Sequence, residues 1–95
     1  MRLTNYEIKM IKKAFKEIFD NGKIYLFGSR VDDTQKGGDI DLYIVSDKNP
    51  LQYKQKIQFL TKLQEYIGEQ KIDIVISKDK NRLIEREALK YGVAL

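Results

Sequence analysis

The sequence predicts an α/β fold, with a mixed sheet of about three strands and three to four helices mainly on one face. Helical and strand-like patterns alternate along the chain, without internal repeats, low-complexity segments or linkers. The strand-like runs, at about 23–28, 39–46 and 71–76, are rich in β-branched and aromatic residues. A length of 95 residues fits one domain, spanning 1–95.

The first helix begins at a capping box, in which Thr4 and Glu7 are three residues apart. We expect it to end near Asn21–Gly22, because glycine readily takes the left-handed conformation that ends helices. Its apolar residues recur at helical spacing and predict a core-facing stripe: Ile8, Ile11, Phe15, Ile18 and Phe19. The lysines between them are expected on its solvated side.

Two more helices follow. Asn49–Pro50 is typical of an N-cap followed by a proline in the first turn, and this second helix is expected to run to Gly68. The last helix is predicted at about 80–91, before Gly92. We expect the trailing residues Val93–Leu95 and the Gly37–Gly38 loop to be available for docking, because apolar termini and mobile rims are poorly satisfied in a monomer.

Three carboxylates provide the strongest functional signal. Asp39 and Asp41 are two apart in a strand-like run, so both side chains project from the same face. Their repulsion is tolerable if both bind one divalent cation, and carboxylate oxygens suit Mg²⁺ or Mn²⁺ better than Zn²⁺. Asp73 alternates with aliphatic residues and reaches the same face if its strand is adjacent. Taken alone, Asp73 is more simply explained as a surface acid.

A glycine turn follows the first predicted strand at Gly28, Ser29 and Arg30. Glycine permits a sharp turn and close backbone approach to a ligand. The Ser29 hydroxyl, the following amides and the Arg30 guanidinium are therefore candidate phosphate-binding groups. The turn alone is also compatible with an ordinary loop, and Arg30 with a surface salt bridge.

Composition narrows the possible chemistry. The chain has no cysteine and no histidine, which excludes disulfides, thiolate metal sites and the usual general base. Its 18 basic and 14 acidic residues give a net charge of +4, which favours anionic nucleotides but does not indicate nucleic-acid binding directly. No apolar run approaches the roughly 20 residues of a membrane span, and we expect a cytoplasmic protein.

The combined pattern resembles the DNA polymerase β-type nucleotidyltransferase superfamily. It consists of Gly28–Ser29, nine intervening residues, Asp39-x-Asp41 and a later Asp73 between hydrophobic residues. The short length, Gly28–Ser29–Arg30 and the segment 84–93 resemble minimal nucleotidyltransferase (MNT) domains within it. The resemblance implies the small nucleotidyltransferase fold, with Asp39, Asp41 and Asp73 as catalytic and metal-binding residues.

The resemblance also implies an activity and a partner. Two Mg²⁺ ions, or Mn²⁺, would support transfer of a nucleoside monophosphate, with AMP from ATP as the expected case, from an NTP to a hydroxyl acceptor. Minimal members commonly pair with an all-helical HEPN protein, as antitoxins that bind or adenylylate a HEPN ribonuclease. A non-catalytic nucleotide-binding partner protein and a small-molecule, aminoglycoside-like nucleotidyltransferase remain alternatives. A second copy of this chain could cover the site in place of such a partner, so a homo-oligomer is also considered.

Overall fold

The computed structural model describes residues 1–35, 38–46 and 52–95. Its elements, in chain order, are α1 (Asn5–Phe19), β1 (Lys23–Phe27), β2 (Ile40–Val45), α2 (Gln52–Ile67), β3 (Ile72–Ile76), α3 (Leu83–Tyr91) and β4 (Val93–Ala94). A short 3₁₀ helix at Gly28–Val31, here called the Gly28 turn, follows β1 directly. Asn49–Pro50 and Gly37, where a helix start and part of a docking loop are predicted, lie outside the described residues.

The four strands form one mixed sheet in the order β3-β2-β1-β4. β1 pairs antiparallel with β2 and β4, whereas β2 and β3 are parallel and are connected through α2. The predicted α/β class and mixed sheet are therefore confirmed.

The expectation that Val93–Leu95 trails off is wrong. Val93 and Ala94 pair with Leu26 and Tyr25, and the Leu95 N–H donates to the Ile24 carbonyl at 3.0 Å. A two-residue strand is too short to show a period of two. Its pairing also depends on residues almost 70 positions away, so local sequence patterns do not reveal it.

The main core lies between one face of the sheet and the helices α1 and α2. The strands contribute alternate residues to it, as their period of two requires. Its buried members are Ile11, Ala14, Phe15, Phe19, Ile24, Leu26, Ile40, Leu42, Ile44, Phe59, Leu63, Ile72, Ile74 and Ile76. Helices thus cover mainly one face, as predicted.

The opposite face carries a smaller apolar cluster under α3. Phe27 and Tyr43 pack there with Ala88 of α3. Asp41 and Asp73 alternate with the main-core residues and therefore project from this second face. Because α3 contacts mainly β1, this face is only partly covered.

The helix ends agree only partly with expectation. The Thr4–Glu7 capping box is present, and Gly68 ends α2 with a φ of +85°. However, α1 ends at Phe19, and Asp20 rather than Gly22 takes the first positive φ, at +64°. Its N–H donates to Lys16, which satisfies a carbonyl at the end of the helix.

α3 begins at Leu83 instead of about 80 because the preceding loop is organised around Glu85. This side chain has 0% exposure. One carboxylate oxygen accepts from the Tyr43 and Ser77 hydroxyls, at 2.7 and 2.6 Å. The other accepts from the backbone N–H groups of Lys78 and Asp79, both at 2.9 Å. Four donors therefore surround a buried charge and hold the start of α3 against the sheet.

The hydrogen bonds keep Glu85 ionised. Burial by itself raises the pKa of this carboxyl, but the donors from Ser77, Lys78, Asp79 and Tyr43 outweigh burial and lower its pKa to about 2. The ionised carboxylate is thus a structural group, and nothing in the sequence pattern distinguishes it from the exposed Glu87 on the same helix.

We predict that Glu85→Gln destabilises the fold in a pH-dependent manner. A folded pKa below the unfolded value contributes stability above about pH 4.5, on the order of 3 kcal/mol for this shift, and loses it as pH falls towards 2. Urea unfolding should therefore show a gap between wild type and variant at pH 7 that narrows from about pH 5 to 3. Glu87→Gln is the matched control and should show no such gap. A gap that is independent of pH would contradict the role of the charge.

Candidate functional site

Strand register brings the three predicted carboxylates together. Asp41 of β2 lies opposite Phe27 of β1 and directly beside Asp73 of β3. Asp39 stands immediately before β2, two residues from Asp41, and shares its face. One oxygen from each carboxylate lies within 4.8 Å of the others. The predicted convergence of Asp39, Asp41 and Asp73, here called the acidic triad, is therefore observed.

Mutual repulsion is visible at the centre of the triad. Partial burial is the largest cause that raises the pKa of Asp41, followed by the charges of Asp73 and Asp39, and together they bring it to about 6. Lys71 offsets part of this effect. Its ammonium lies 3.4 Å from a carboxylate oxygen of Asp39, although its side chain is 78% exposed.

The Gly28 turn comes into direct contact with the triad. Gly28 has a φ of +77°, and a Cβ added there would lie 2.2 Å from Oδ2 of Asp41. Glycine is therefore required for the backbone conformation and also for the close approach of the turn to the carboxylate. This contact links the predicted phosphate-binding turn to the predicted metal site.

Ser29 and Gly38 form a second close contact. Gly38 has a φ of +90°, and a Cβ there would lie 2.1 Å from the Ser29 hydroxyl oxygen. Gly38 directly precedes Asp39. The Gly28 turn therefore contacts both Asp41 and the residue next to Asp39. The helical turn itself occupies Gly28–Val31.

A cleft of about 410 Å³ borders the Gly28 turn. Its lining residues come from β1, the turn, the following loop and α3: Phe27, Gly28, Ser29, Val31, Asp32, Gln35, Glu87 and Tyr91. The turn thus lies between the acidic triad and a space that is large enough for part of a small ligand.

Arg30 has different partners from those considered in the sequence analysis. The half-buried side chain donates to the backbone carbonyls of Arg2 and Gly38, at 3.1 and 3.4 Å. These contacts are neither a surface salt bridge nor a contact with the acidic triad. They tie the Gly28 turn to the N-terminal segment and to the chain before Asp39. Sequence reasoning missed Arg2, because no local pattern marks a residue that acts through carbonyls 27 to 30 positions away.

The acidic triad fits a hard divalent cation. Its ligands would be carboxylate oxygens only, and partial burial together with the charges of Asp73 and Asp39 raises the pKa of Asp41. A divalent cation would relieve this repulsion more fully than the single charge of Lys71 does. The triad can therefore hold a metal ion.

The exposed surface of α3 carries several large apolar side chains among the charged residues Arg86, Glu87 and Lys90. Leu83 is 79% exposed and Tyr91 is 62% exposed, with Ile84 and Leu89 also accessible. A groove of about 660 Å³ runs along this surface, and Glu87 and Tyr91 line both this groove and the cleft beside the Gly28 turn. Within the described part of the chain, no helix is long and apolar enough to cross a membrane.

Comparison with known families agrees with this geometry. Residues 9–95 match the family model of polymerase beta nucleotidyltransferases. The chain belongs to the polymerase β nucleotidyltransferase family. Membership covers the entire sheet, the Gly28 turn and the acidic triad, and it makes the chain a nucleotidyltransferase domain. No curated protein shows significant sequence similarity to it.

We predict that Gly28→Ala abolishes or strongly weakens metal binding at the triad, since the added methyl group would displace the Asp41 carboxylate. Gly68→Ala is the matched control. Gly68 also has a positive φ, +85°, but a Cβ there meets nothing within 4 Å. Both variants should lose about 1 kcal/mol of stability from backbone strain. Only Gly28→Ala should lose Mn²⁺ affinity, measured by titration calorimetry. Equal Mn²⁺ affinity in both variants would show that the close approach is unimportant.

We predict that Asp41→Asn stabilises the metal-free protein at neutral pH. A folded pKa raised to about 6 means that the stability contributed by Asp41 is present below about pH 4 and lost as pH rises through 6. The variant should therefore gain a few degrees in Tm at pH 8 and nothing at pH 4, measured by calorimetry in EDTA. Glu69→Gln, which removes an exposed carboxylate elsewhere, is the control. A variant less stable than wild type at pH 8 would contradict the proposed repulsion.

Proposed function

We propose that this chain transfers AMP from Mg²⁺-bound ATP to a hydroxyl group of a protein partner in the cytoplasm. The observation that carries the proposal is the acidic triad, whose carboxylate oxygens lie within 4.8 Å of one another beside the Gly28 turn. Family membership supports nucleotidyl transfer, and the triad supports its dependence on a divalent metal.

The three acids have distinct expected roles. Asp39 and Asp41 would hold one Mg²⁺ with the triphosphate, and all three would share a second Mg²⁺, or Mn²⁺, near the acceptor. When bound, the metal ions supply charge neutralisation for the leaving pyrophosphate and lower the pKa of the acceptor hydroxyl. Asp73 is the exposed member of the triad and would orient this hydroxyl and accept its proton.

The reaction balances as an in-line displacement. The acceptor oxygen forms a bond to the α-phosphorus, the bond from that phosphorus to the bridging oxygen breaks, and pyrophosphate leaves. The backbone of Gly28 and the Ser29 hydroxyl would hold the terminal phosphates, with Arg30 maintaining the turn through its bonds to two carbonyls. This arrangement would fix the orientation of the substrate, which lowers the entropic part of the barrier.

A protein acceptor is favoured by the surface next to the site. The exposed apolar side chains of α3 continue to the cleft through Glu87 and Tyr91. Apolar surface of this kind suits a protein partner better than a polar small molecule. Together with the resemblance to MNT domains, it supports an all-helical HEPN-type protein as the acceptor and an antitoxin role, by adenylylation, masking or both.

A purely non-catalytic role as a binding partner explains the triad less well. Partial burial and the charges of Asp73 and Asp39 raise the pKa of Asp41, so its ionised form opposes folding in the absence of a cation. A protein that only docks to a partner does not require this loss of folding stability.

We predict that the wild-type chain adds one adenylyl group to an all-helical HEPN-type protein encoded beside its gene. The two proteins would be incubated with Mg²⁺ and with each NTP in turn, and only ATP should give this product. Intact-mass spectrometry followed by peptide mapping would identify the modified hydroxyl. The Asp39→Asn/Asp41→Asn variant should remain folded, because it removes repulsion, and should lose transfer completely.

Three results would contradict this proposal. Transfer by the folded double variant would exclude the triad as the catalytic group. Modification of an aminoglycoside but not of the protein would establish the small-molecule alternative. Tight complex formation without any transfer would establish the non-catalytic one.

A further inference from the structure

The N-terminal segment contacts the Gly28 turn through a concentrated set of hydrogen bonds. The Arg2 backbone N–H donates to the Arg30 carbonyl at 2.7 Å. The Arg2 guanidinium donates to the carbonyls of Ser29 and Asp32, at 3.1 and 3.2 Å. In return, Arg30 donates to the Arg2 carbonyl at 3.1 Å. Arg2 thus donates to two carbonyls of the Gly28 turn and to one carbonyl directly after it.

These contacts join a residue outside the family match to residues inside it. The family match begins at residue 9, whereas Arg2 lies before α1. Leu3, the next residue, packs against the main core, and so does Val31 at the end of the Gly28 turn. The segment is therefore anchored at both the core and the turn.

The Gly28 turn needs such support for a physical reason. A four-residue 3₁₀ helix has poor hydrogen-bond geometry, and the carbonyls of Ser29 and Asp32 accept long backbone bonds, from the N–H groups of Asp32 and Gln35 at 3.2 and 3.3 Å. Arg2 supplies donors to these carbonyls. Because a trans peptide points its N–H opposite to its C=O, fixing the carbonyls of Ser29 and Arg30 also fixes the direction of the amides that follow them.

The position of the turn matters because its neighbours are so close. Gly28 approaches the Asp41 carboxylate, and Ser29 lies against Gly38, with no room for a methyl group at either glycine. A small rotation of the turn would therefore disturb the relation between the phosphate-binding groups and the acidic triad. Asp41 and Asp73 are held by the pairing of β2 with β3, in which Arg2 takes no part.

We propose that Arg2 is a positioning residue of the nucleotide site, which holds the Gly28 turn in register with the acidic triad. This inference rests on the proposed function, in which the turn binds the triphosphate. Arg2 does not itself touch the substrate. Its effect is on triphosphate binding and leaves metal binding at the triad unchanged.

Titration calorimetry with two probes tests this role. Mn²⁺ alone reports on the triad, and ATP added in the presence of saturating Mg²⁺ reports on the triad and the turn together. Arg2→Ala should weaken Mg²⁺-dependent ATP binding about tenfold, as expected for the loss of two hydrogen bonds from a charged donor, and should leave Mn²⁺ affinity unchanged. Lys9→Ala, which removes an exposed cation from α1, is the matched control and should bind both probes like wild type.

Arg2→Lys provides a second variant that preserves the charge. Lysine lacks the rigid fork that reaches two carbonyls at once, so it should recover part of the ATP affinity, leaving a loss of about threefold. It decides the test if Arg2→Ala does not fold.

The outcomes separate this inference from the proposed function. If wild type binds Mn²⁺ but no ATP, the proposed function is wrong, and the positioning role of Arg2 is wrong as well. If wild type binds ATP and both Arg2 variants bind it equally well, only the role of Arg2 is wrong. A parallel loss of Mn²⁺ affinity would show general loosening of the fold and would also overturn the positioning role.

Discussion

The register of β2 against its two neighbours is the constraint on which the rest of the site depends. It places Asp41 beside Asp73 on one side and opposite Phe27 on the other, immediately before the Gly28 turn. A shift of one residue would move every side chain of β2 to the other face and would bury Asp41 in the main core. The aliphatic residues at alternate positions prevent this shift, because Ile40, Leu42 and Ile44 are fully buried. The same residues that stabilise the fold thus fix the geometry of the acids.

Two carboxylates at the second face of the sheet, one from α3 and one from β2, differ in how their negative charge is stabilised. Glu85 is surrounded by four donors, and its pKa is lowered to about 2 despite complete burial. Asp41 is partly buried and has like charges as its neighbours, and both raise its pKa, to about 6. Hydrogen-bond donors stabilise the first as a permanent part of the fold. The ionised form of Asp41 has no such donors among the described residues and would be stabilised by a bound cation. This property is expected of a ligand-binding site and not of a structural carboxylate.

The sequence predicted the features that depend on local spacing. The two-residue interval between Asp39 and Asp41, the alternation around Asp73 and the glycine at 28 were sufficient to predict the acidic triad and the turn. The structure adds features that depend on contacts between distant residues. The β4 strand, the donors around Glu85 and the contacts of Arg2 each join segments that no periodicity relates. Arg30 shows the limit most clearly, since its residue type suggested a phosphate ligand or an ion pair, whereas its observed partners are backbone carbonyls.

The position of β4 has a consequence for how the chain folds. β1 is complete at Phe27, but the partner of its outer edge, formed by Val93, Ala94 and the Leu95 N–H, follows the other described elements in the chain. During synthesis, the outer edge of β1 therefore remains without this partner while most of the chain emerges. Unpaired edges of this kind can recruit strands from other molecules. Because the late strand is only two residues long, closing the sheet requires little additional ordering once these residues are available.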